Sequence, residues 1–359
     1  MKLERKVLLN NLRLAMPGIE SGNAVLQGSD SFIFHDGKLF TYNDSMAVLV
    51  PMDSIGLVDE NIEGAVHAKE LYNVVSKFTN DEITFTVKDE KTWTIKCGRA
   101  KVELTLLDFD FKSRLEGVAP SDEKWIELPD GFTNALAVCK MQSNKSSLAG
   151  IYIRDTNVVS TDSYQINVCE IGRDLPKFWI SDNSASELLK LEGLKEIQVG
   201  RNWVHFKTKD EVIFSAKTLN NADYPYEKVM SLMDSASPKD ETFHATFPKE
   251  LFPAVERANN FSLSLLDQSV VRLVLSNEGI EVSSERNSGN YVENVLWDTP
   301  LEEEINPIKV YVNEEMMGSM VAHSLEFYLI NMKAKNGKII PRLLFISPSS
   351  RHLMATFSE

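Results

Sequence analysis

Two short segments decide the fold: Asn43-Asp44-Ser45 (residues 43–45) and Thr161-Asp162-Ser163 (residues 161–163). They stand 118 positions apart, and each lies between two runs of strand-like residues. Polar residues of this kind favour tight turns between strands. Because the spacing is close to a third of the 359 residues, it indicates an internal repeat.

Each third of the chain has the same order of elements: a helix, about three strands, a second helix and about three more strands. The predicted helices span residues 2–16, 68–77, 132–141, 184–191, 249–259 and 313–321. Polar joints at 117–123 and 234–240 separate the thirds. The sequence therefore predicts an α+β protein of three similar domains, at residues 1–118, 124–236 and 241–359.

The composition is typical of a globular protein with an acidic balance. The formal net charge of −14 excludes a protein that compacts nucleic acid through a uniformly basic surface. Cys97, Cys139 and Cys169 are far apart in the sequence, so we predict reduced, buried thiols rather than a disulfide framework or a zinc site. No run of eighteen apolar residues occurs, and the charged first residues lack the apolar run of a signal peptide. We expect a cytoplasmic protein without membrane contact.

No catalytic or cofactor motif is recognisable. The glycine-rich phosphate-binding patterns and the G-x-S-x-G elbow do not occur, and no histidine has the spacing of a local metal site. Acidic clusters at 107–110 and 302–304 are better explained as solvated turns than as two-metal sites. We predict no catalytic residue, no metal and no cofactor. An enzyme site built from carboxylates or histidines distant in sequence is a third alternative without a supporting motif.

The predicted helices differ in charge from the rest of the chain. With the third helix extended to residue 145, they together carry a formal charge of +4, and all other residues carry −18. If the helices shared one face of an assembly, that face would attract phosphate groups without sequence preference. Solvated lysines on ordinary helices explain the same charges equally well, because the last third contributes nothing positive.

Segments in all three thirds resemble the bacterial sliding clamp, the β subunit of DNA polymerase III. They are residues 1–9, 98–106, 148–152, 158–164 and 223–229, so the resemblance covers essentially the whole chain. It implies three repeated clamp domains, each with two helices packed on β-sheets, and a head-to-tail homodimer whose six domains form a ring around duplex DNA. It also implies a non-catalytic processivity factor that tethers the polymerase and the clamp loader through short apolar peptide motifs.

Carried over residue by residue, the resemblance places several side chains around the hole of the ring. The predicted DNA-binding residues are Lys6, Arg13, Lys77, Lys140, Gln142, Lys145, Lys190 and Arg201, with Lys333 and Lys335 as further candidates. Ser21-Gly22 and Asp182-Asn183 stand where the family has basic residues. Both departures lower the expected electrostatic attraction between the protein and DNA phosphates.

The peptide pocket of the family lies between its second and third domains. The lining residues implied here are Leu148, Thr161, Tyr164, Ile166, Tyr224, Val229, Ile339, Pro341, Leu353 and Met354. Ser163-Tyr164-Gln165 replaces the family's Gly-His-Arg, and the chain ends in Met354 to Glu359 instead of Met-Pro-Met-Arg-Leu. We therefore expect a related but altered peptide motif, as in a divergent or phage-encoded clamp. An ordinary core position explains Ile166 and Leu353 equally well.

For the dimer interface, the resemblance implies an edge-to-edge β contact. Val102 and Leu104 of one subunit would meet Asn260 and Phe261 of the other. An alternative function stays open, namely a clamp-fold regulatory protein that binds replication partners without encircling DNA. The weak positive charge of the last third favours this alternative, and the full three-domain length favours the sliding clamp.

Overall fold

The computed structural model describes residues 2–20, 22, 26–55, 62–89, 91–140, 148–162, 164–219, 223–239, 242–265, 268–321, 324–333 and 337–357. The chain divides into two compact units. The first unit is Met1–Thr133 with Pro176–Ala222, and the second unit is Asn134–Leu175 with Asp223–Glu359. No helix in the described ranges is long and apolar enough to cross a membrane.

In each third the elements keep the predicted order of helix, strands, helix and strands, with further short elements that the pattern did not predict. In the first third they are β1 (Lys2–Glu4), α1 (Arg5–Ala15), β2 (Ser31–His35), β3 (Lys38–Tyr42), β4 (Met46–Pro51), α2 (Met52–Ile55), β5 (Gly64–His67), α3 (Ala68–Lys77), β6 (Glu82–Asp89), β7 (Thr92–Cys97), β8 (Ala100–Thr105) and α4 (Lys112–Val118). In the second third they are β9 (Ile126–Glu127), α5 (Phe132–Cys139), β10 (Ile151–Thr161), β11 (Gln165–Ile180), α6 (Asp182–Leu188), β12 (Leu194–Val199), β13 (Trp203–Thr208), β14 (Ile213–Lys217) and α7 (Tyr226–Ser235). In the last third they are β15 (His244–Thr246), α8 (Leu251–Asn259), β16 (Leu263–Leu265), β17 (Gln268–Ser276), β18 (Gly279–Arg286), β19 (Gly289–Val295), β20 (Ile308–Asn313), α9 (Glu314–Val321), β21 (Glu326–Lys333), β22 (Ile339–Ser347) and β23 (Ser350–Ala355).

An eight-stranded sheet in the first unit joins strands of the first and second thirds, in the order β5-β2-β3-β4-β14-β13-β12-β9. We call its central antiparallel pair, β4–β14, the first seam; Val48 lies opposite Phe214 there. A four-stranded sheet, β1-β6-β7-β8, completes the unit. The core contains Trp93, whose ring centroid lies 5.1 Å from those of Phe34 and Phe85. Aromatic packing of this kind adds to the stabilisation from burial.

The second unit repeats this plan with strands of the second and last thirds. A six-stranded sheet has the order β10-β11-β23-β22-β21-β15. We call its antiparallel pair β11–β23 the second seam; Ile166 lies opposite Leu353 there. The other sheet has the order β16-β17-β18-β19, with β20 also paired to β17. The core includes the rings of Phe247 and Phe327, stacked with centroids 3.8 Å apart.

One side-chain oxygen closes the turn before each seam. Asn43 Oδ1 accepts hydrogen bonds from the backbone N–H groups of Ser45 and Met46, at 2.9 and 2.8 Å. Asp162 Oδ1 accepts from the N–H groups two and three residues further on, also at 2.9 and 2.8 Å. The equivalent residues are therefore Asn43 and Asp162, 119 positions apart. The sequence alignment of Asn43 with Thr161 is wrong by one residue, because an Asx turn needs the acceptor at its first position.

The offset of 119 residues extends beyond the turn. Asp36 and Asp155, separated by the same interval, both adopt positive φ angles, of 48° and 54°. Across the seams, the Lys217 N–H donates to the Ser45 carbonyl at 2.9 Å, and the Ala355 N–H donates to the Tyr164 carbonyl at 2.7 Å. Both seams consequently have the same register.

All six predicted helices are present, as α1, α3, α5, α6, α8 and α9. Residues 2–4, predicted to start the first helix, form β1 instead, because Leu3 is buried and lies opposite Ile83 of β6. Helix α6 begins two residues before its predicted start, because Ser181 Oγ caps it by accepting from the Ser184 N–H at 3.0 Å. The sequence pattern missed α2, α4 and α7.

The three cysteines are buried free thiols, as the sequence predicts. Cys139 Sγ donates to the Val158 carbonyl at 3.2 Å and lies 3.5 Å from Cys169 Sγ. Burial raises the pKa of the Cys139 thiol well above its ordinary value. A thiol of this kind carries little thiolate and is chemically inert in the folded chain.

His205 of β13 is a buried titratable group in the eight-stranded sheet. Its Nδ1 lies 2.8 Å from Ser215 Oγ, and burial lowers the pKa of the imidazole from 6.5 to about 4. Between these two values the unfolded chain binds a proton that the folded chain does not bind. The free energy of unfolding therefore falls as the pH falls through this range.

We predict that acidification from pH 7 to 4.5 lowers the free energy of unfolding by about 2 kcal/mol through His205. Urea unfolding at both pH values should show that His205→Gln loses this part of the pH dependence. His244→Gln, at an exposed position, is the matched control. Equal pH dependence in wild type and His205→Gln would contradict a neutral, buried His205.

Candidate DNA-facing surface and peptide site

Helices α1, α3 and α6 of the first unit border an open cleft of about 1410 Å³. Arg13 Nε donates to the Tyr72 hydroxyl at 3.1 Å, and Lys190 Nζ lies 2.7 Å from Glu187 Oε1. The charged lining residues are Arg13, Lys69, Lys190, Glu20, Asp30, Asp44, Glu70 and Glu187. Because the carboxylates outnumber the cations, the cleft is not a uniformly positive surface.

The described predicted DNA-binding residues are all exposed. These are Lys6 and Arg13 on α1, Lys77 at the end of α3, Lys140 after α5, Lys190 after α6 and Arg201 after β12. Gln142, Lys145 and the further candidate Lys335 lie outside the described residues, whereas Lys333 is exposed at the end of β21. Lys69 of α3 is an exposed cation on the same cleft as Arg13. Lys69 was not among the DNA-binding residues predicted from the family resemblance.

The helices of the last third present mainly negative charge. Glu256 lies on α8, and Glu314 and Glu315 open α9. Burial raises the pKa of Glu314, and the nearby carboxylates of Glu256 and Glu315 raise it further. On α8, Arg257 donates three hydrogen bonds to Glu293, of 2.8, 3.0 and 3.2 Å. The Arg257 guanidinium lowers the pKa of Glu293, and the Tyr291 hydroxyl lowers it further, so this pair stays ionised.

Strand alternation divides the predicted peptide-pocket residues between two faces of the six-stranded sheet. Residues opposite each other in an antiparallel pair lie on one face, and neighbours along a strand lie on opposite faces. Ile166 and Leu353 share one face. Met354 lies opposite Leu343 on the other face, where it is fully buried in the core. Ile339 and Pro341 have the same strand parity as Leu343, so they lie on that core-facing side.

Helix α7 crosses the face that carries Ile166. Near its beginning, Glu227 accepts from Arg154 Nη1 of β10 at 2.8 Å. Near its end, Asp234 accepts from Arg351 Nη1 of β23 at 3.2 Å. Because β11 lies between these strands, α7 passes over it. Val229, another predicted pocket residue, is buried on this helix.

An aromatic layer lies between β10 and α7. The rings of Tyr152 and Tyr224 are stacked, with centroids 4.5 Å apart and planes 5° from parallel. Tyr226 accepts a hydrogen bond from Asn157 Nδ2 at 3.2 Å. Burial raises the pKa of both Tyr152 and Tyr224. Tyr152 and Tyr226 lie in the segments that resemble the family but were not among the predicted pocket residues, although aromatic residues beside Tyr224 in the sequence and on the adjoining strand are a usable signal.

The remaining predicted pocket residues differ in exposure. Tyr164 is half-buried, with its ring 5.6 Å from that of Phe357. Thr161 is buried, and its Oγ1 donates to the Gln165 carbonyl at 2.7 Å. Leu148 is half-buried, and Ile339 is 64% exposed. A ligand could reach Leu148, Tyr164 and Ile339 directly, whereas Thr161 is covered in the free chain.

The predicted dimer-interface residues lie at the outer strands β8 and β19 or beside them. Leu104 is buried opposite Trp93, and Val102 is half-buried on the same strand. Phe261 follows α8, and its ring lies so close to Gly289, where β19 begins, that an added Cβ there would be 3.0 Å from it. Asn260 beside it is exposed. The structure therefore places an aromatic side chain next to a sheet edge, which suits an edge-to-edge contact.

Solved bacterial structures share this architecture. The sliding clamp of Bacillus subtilis is 18% identical, with a TM-score of 0.77, and the match covers 100% of this chain and 98% of that one. The DNA polymerase III β chain of Streptococcus pneumoniae is 14% identical, with a TM-score of 0.80 and coverage of 100% and 99%. A sliding clamp of Pseudomonas aeruginosa bound to griselimycin is 16% identical, with a TM-score of 0.75 and coverage of 100% and 99%. The chain has the β sliding-clamp fold. No family model matches the sequence, and no curated protein matches it.

The β sliding-clamp fold confirms the predicted fold class, an α+β architecture of sheet-rich domains that each carry helices. Proteins known as β sliding clamps are non-catalytic processivity factors. Among the described residues, no group of three or more histidine, cysteine or acidic side chains has the arrangement of a metal site. The domain boundaries at 118, 124, 236 and 241 stay predictions, as do the individual DNA, peptide and interface residues.

The turn that presents Tyr164 depends on one acceptor atom. We predict that Asp162→Ala lowers the free energy of unfolding by about 1–2 kcal/mol, because two backbone N–H groups lose their acceptor. Asp162→Asn should remain within about 0.5 kcal/mol of wild type, because Asn43 closes the equivalent turn. Chemical denaturation of the three proteins measures both differences. Equal losses in both variants would show that the negative charge, not the turn, stabilises this site.

Proposed function

We propose that this protein is a DNA sliding clamp. Two copies close head-to-tail into a ring of six domains around duplex DNA, and the ring tethers a polymerase and a clamp loader through short peptide motifs. The observation that carries the proposal is the full-length match to the β sliding-clamp fold, with TM-scores of 0.77 and 0.80. The protein works in the cytoplasm on nucleoid or phage DNA, without a catalytic residue, metal or cofactor. Its domains are residues 1–118, 124–236 and 241–359.

A ring explains how a strongly acidic protein holds DNA. The formal net charge of −14 repels a polyanion at long range. Topological closure replaces tight binding, so a few exposed lysines and arginines on the helices suffice to position the phosphate backbone. Contacts limited to phosphate carry no sequence information and therefore permit sliding.

The ring requires an interface between the two copies at the outer strands β8 and β19. On β19, Val292 is 58% exposed, and Leu296 just beyond it is 72% exposed. Phe261, which follows α8, lies close to Gly289 at the start of the same strand. A strand edge flanked by apolar side chains is a ready surface for pairing with another chain. Leu104 belongs to the interface prediction, but a charge there would disturb the core around Trp93 before it tested association.

We predict that the protein in solution has a mass near 81 kDa, twice its 40.5 kDa. Phe261→Asp with Val292→Asp should give a folded monomer, because two carboxylates at an apolar interface are costly to bury. Val87→Asp, at an exposed position of β6, is the control and should remain a dimer. Light scattering over a wide concentration range measures all three. A double variant that stays dimeric would rule out this interface.

A second function is favoured by the acidic helices of the last third. Glu256, Glu314 and Glu315 would face DNA if these helices lined the hole. A clamp-fold regulatory protein that binds replication partners without encircling DNA would tolerate such charges. Loader-dependent retention on nicked circular DNA separates the two functions. Retention that is lost on linearisation supports the ring, and no retention in either form supports the regulatory protein.

The exposed lysine at the end of α3 tests the DNA contact directly. We predict that Lys77→Ala lowers the slope of log affinity against log salt concentration for linear duplex DNA by about 0.9, the value for one lost phosphate contact. Lys96→Ala, at an exposed position of β7, should leave the slope unchanged. Fluorescence anisotropy at several salt concentrations measures it. Identical slopes for both variants would exclude Lys77 from the DNA-facing surface.

A further inference from the structure

Two of the three cysteines lie side by side in the second unit. Cys139 is the last residue of α5 and Cys169 lies on β11, and their Sγ atoms are 3.5 Å apart. Because 30 positions separate them in the sequence, the fold brings them together. A disulfide places two sulfur atoms about 2 Å apart. The two thiols are therefore separate in this structure but close enough to form that bond through small side-chain movements.

The surroundings hold both sulfur atoms in place. Leu136, one turn before Cys139 on α5, is fully buried, so the helix packs inward through this side. Cys139 Sγ donates a hydrogen bond to the Val158 carbonyl of β10 at 3.2 Å. Cys169 lies opposite Ser350 of β23, in the second seam. A bond between the two sulfur atoms would therefore join α5 to the strand that forms this seam.

The hydrogen bond between the two thiols sets the order in which they react. Cys139 Sγ is the donor and Cys169 Sγ is the acceptor. Burial raises the pKa of the Cys139 thiol, and the hydrogen bond to Cys169 raises it further. Cys139 therefore keeps its proton. Cys169, which accepts that hydrogen bond, is the sulfur that attacks an oxidant first.

The third cysteine is an internal control. Cys97 of β7 is also buried, and its Sγ donates to the Asn80 carbonyl at 3.6 Å. It belongs to the first unit, whose two segments contain no other cysteine. A reaction that requires only a buried thiol would modify Cys97 as well, whereas a reaction that requires two adjacent thiols would leave it unchanged.

We propose that Cys139 and Cys169 are a reversible redox pair, which hydrogen peroxide converts into a disulfide and a dithiol restores. Cys169 sulfur attacks one peroxide oxygen and the O–O bond breaks, which gives a sulfenic acid and one water. Cys139 sulfur then attacks the sulfenic sulfur and loses its proton, which forms the S–S bond and a second water. Two thiols lose two electrons, and one peroxide is reduced to two waters. The dithiol reverses this by thiol–disulfide exchange and becomes a disulfide itself.

Burial favours a small oxidant. Cys139 is 0% exposed and Cys169 is 2% exposed, so a bulky reagent does not contact either sulfur in the closed structure. Hydrogen peroxide is little larger than water and enters through small local openings of the fold. The same packing then holds the second thiol beside the sulfenic acid, so the second step is intramolecular and faster than the first.

The disulfide would brace the second unit. It closes a loop of 30 residues and so restricts the unfolded chain more than the folded one. It also ties the end of α5 covalently to β11. Disulfides in reducing compartments are usually transient and respond to oxidants, which fits a pair that is reduced at rest. Both sulfur atoms belong to one chain, so the inference does not depend on ring formation.

Thiol titration after denaturation tests the chemistry. The intact folded protein is treated with hydrogen peroxide, catalase removes the oxidant, and an aromatic disulfide reagent counts the thiols in denaturant. The count should fall from three to one, and a dithiol should restore all three. Peptide mapping should show Cys139 linked to Cys169. A count that stays at three, or a loss of thiols without this crosslink, would overturn the proposal.

Alanine variants separate the pair from the lone thiol. Cys97→Ala is the matched control and should still lose two thiols. Cys139→Ala leaves the sulfenic acid of Cys169 without a partner, so dimedone should label Cys169. Cys169→Ala should leave Cys139 unlabelled. If thermal melting shows that Cys139→Ala is unfolded, Cys139→Val takes its place. Labelling of Cys139 or Cys97 to the same extent as Cys169 would refute the assigned chemistry.

Thermal melting tests the brace. Oxidised wild type should melt roughly 5 °C or more above the reduced protein, because the closed loop restricts the unfolded state. Cys97→Ala should show the same rise, and Cys139→Ala should show none. Equal melting temperatures of oxidised and reduced wild type would refute the brace. A protein that forms the crosslink but remains monomeric supports this proposal and refutes the ring, so the two proposals fail separately.

Discussion

The rest of the structure depends on one kind of interaction, the antiparallel pairing of strands from successive thirds of the chain. Strands β4 and β14 form one such pair, and β11 and β23 form the other. Each pairing satisfies backbone N–H and C=O groups that would otherwise form open sheet edges. The side-chain acceptors of Asn43 and Asp162 set the turn before each pairing. A one-residue slip would move every apolar side chain to the wrong face, so these turns determine the architecture of both units.

Elements that depend only on the local spacing of apolar residues were predictable from the sequence. The apolar spacing of α3 and α8 is complete within ten residues, and both helices end where the pattern ends. Long-range partners were not predictable. Leu3 joins a strand because Ile83, 80 positions away, lies opposite it. Helix α7 starts after Pro225 in a stretch where the sequence pattern predicts no element, and its contacts with β10 and β23 link it to strands far from it in sequence.

The candidate sites show the same limit. Residue types pointed to Ile166 and Leu353, which the register brings together, but they could not show that Met354 lies on the opposite face. Exposure of lysines was predictable from their chemistry. Which carboxylate each basic side chain pairs with was not predictable. Lys190 pairs with Glu187, three residues before it, whereas Arg257 pairs with Glu293, 36 positions away. The positive charge available to a phosphate backbone is therefore smaller than a count of basic residues indicates.

An internal repeat also places different side chains on two faces of the same backbone geometry. The two seams share their turn, their register and their cross-strand hydrogen bonds, so backbone geometry does not distinguish them. They differ in side-chain volume. At the first face Phe109 packs on the cluster that contains Tyr42, and both side chains lie close to Gly28. At the second face Thr161 stands where the first face has Tyr42, and α7 packs over the strands there through Glu227 and Asp234.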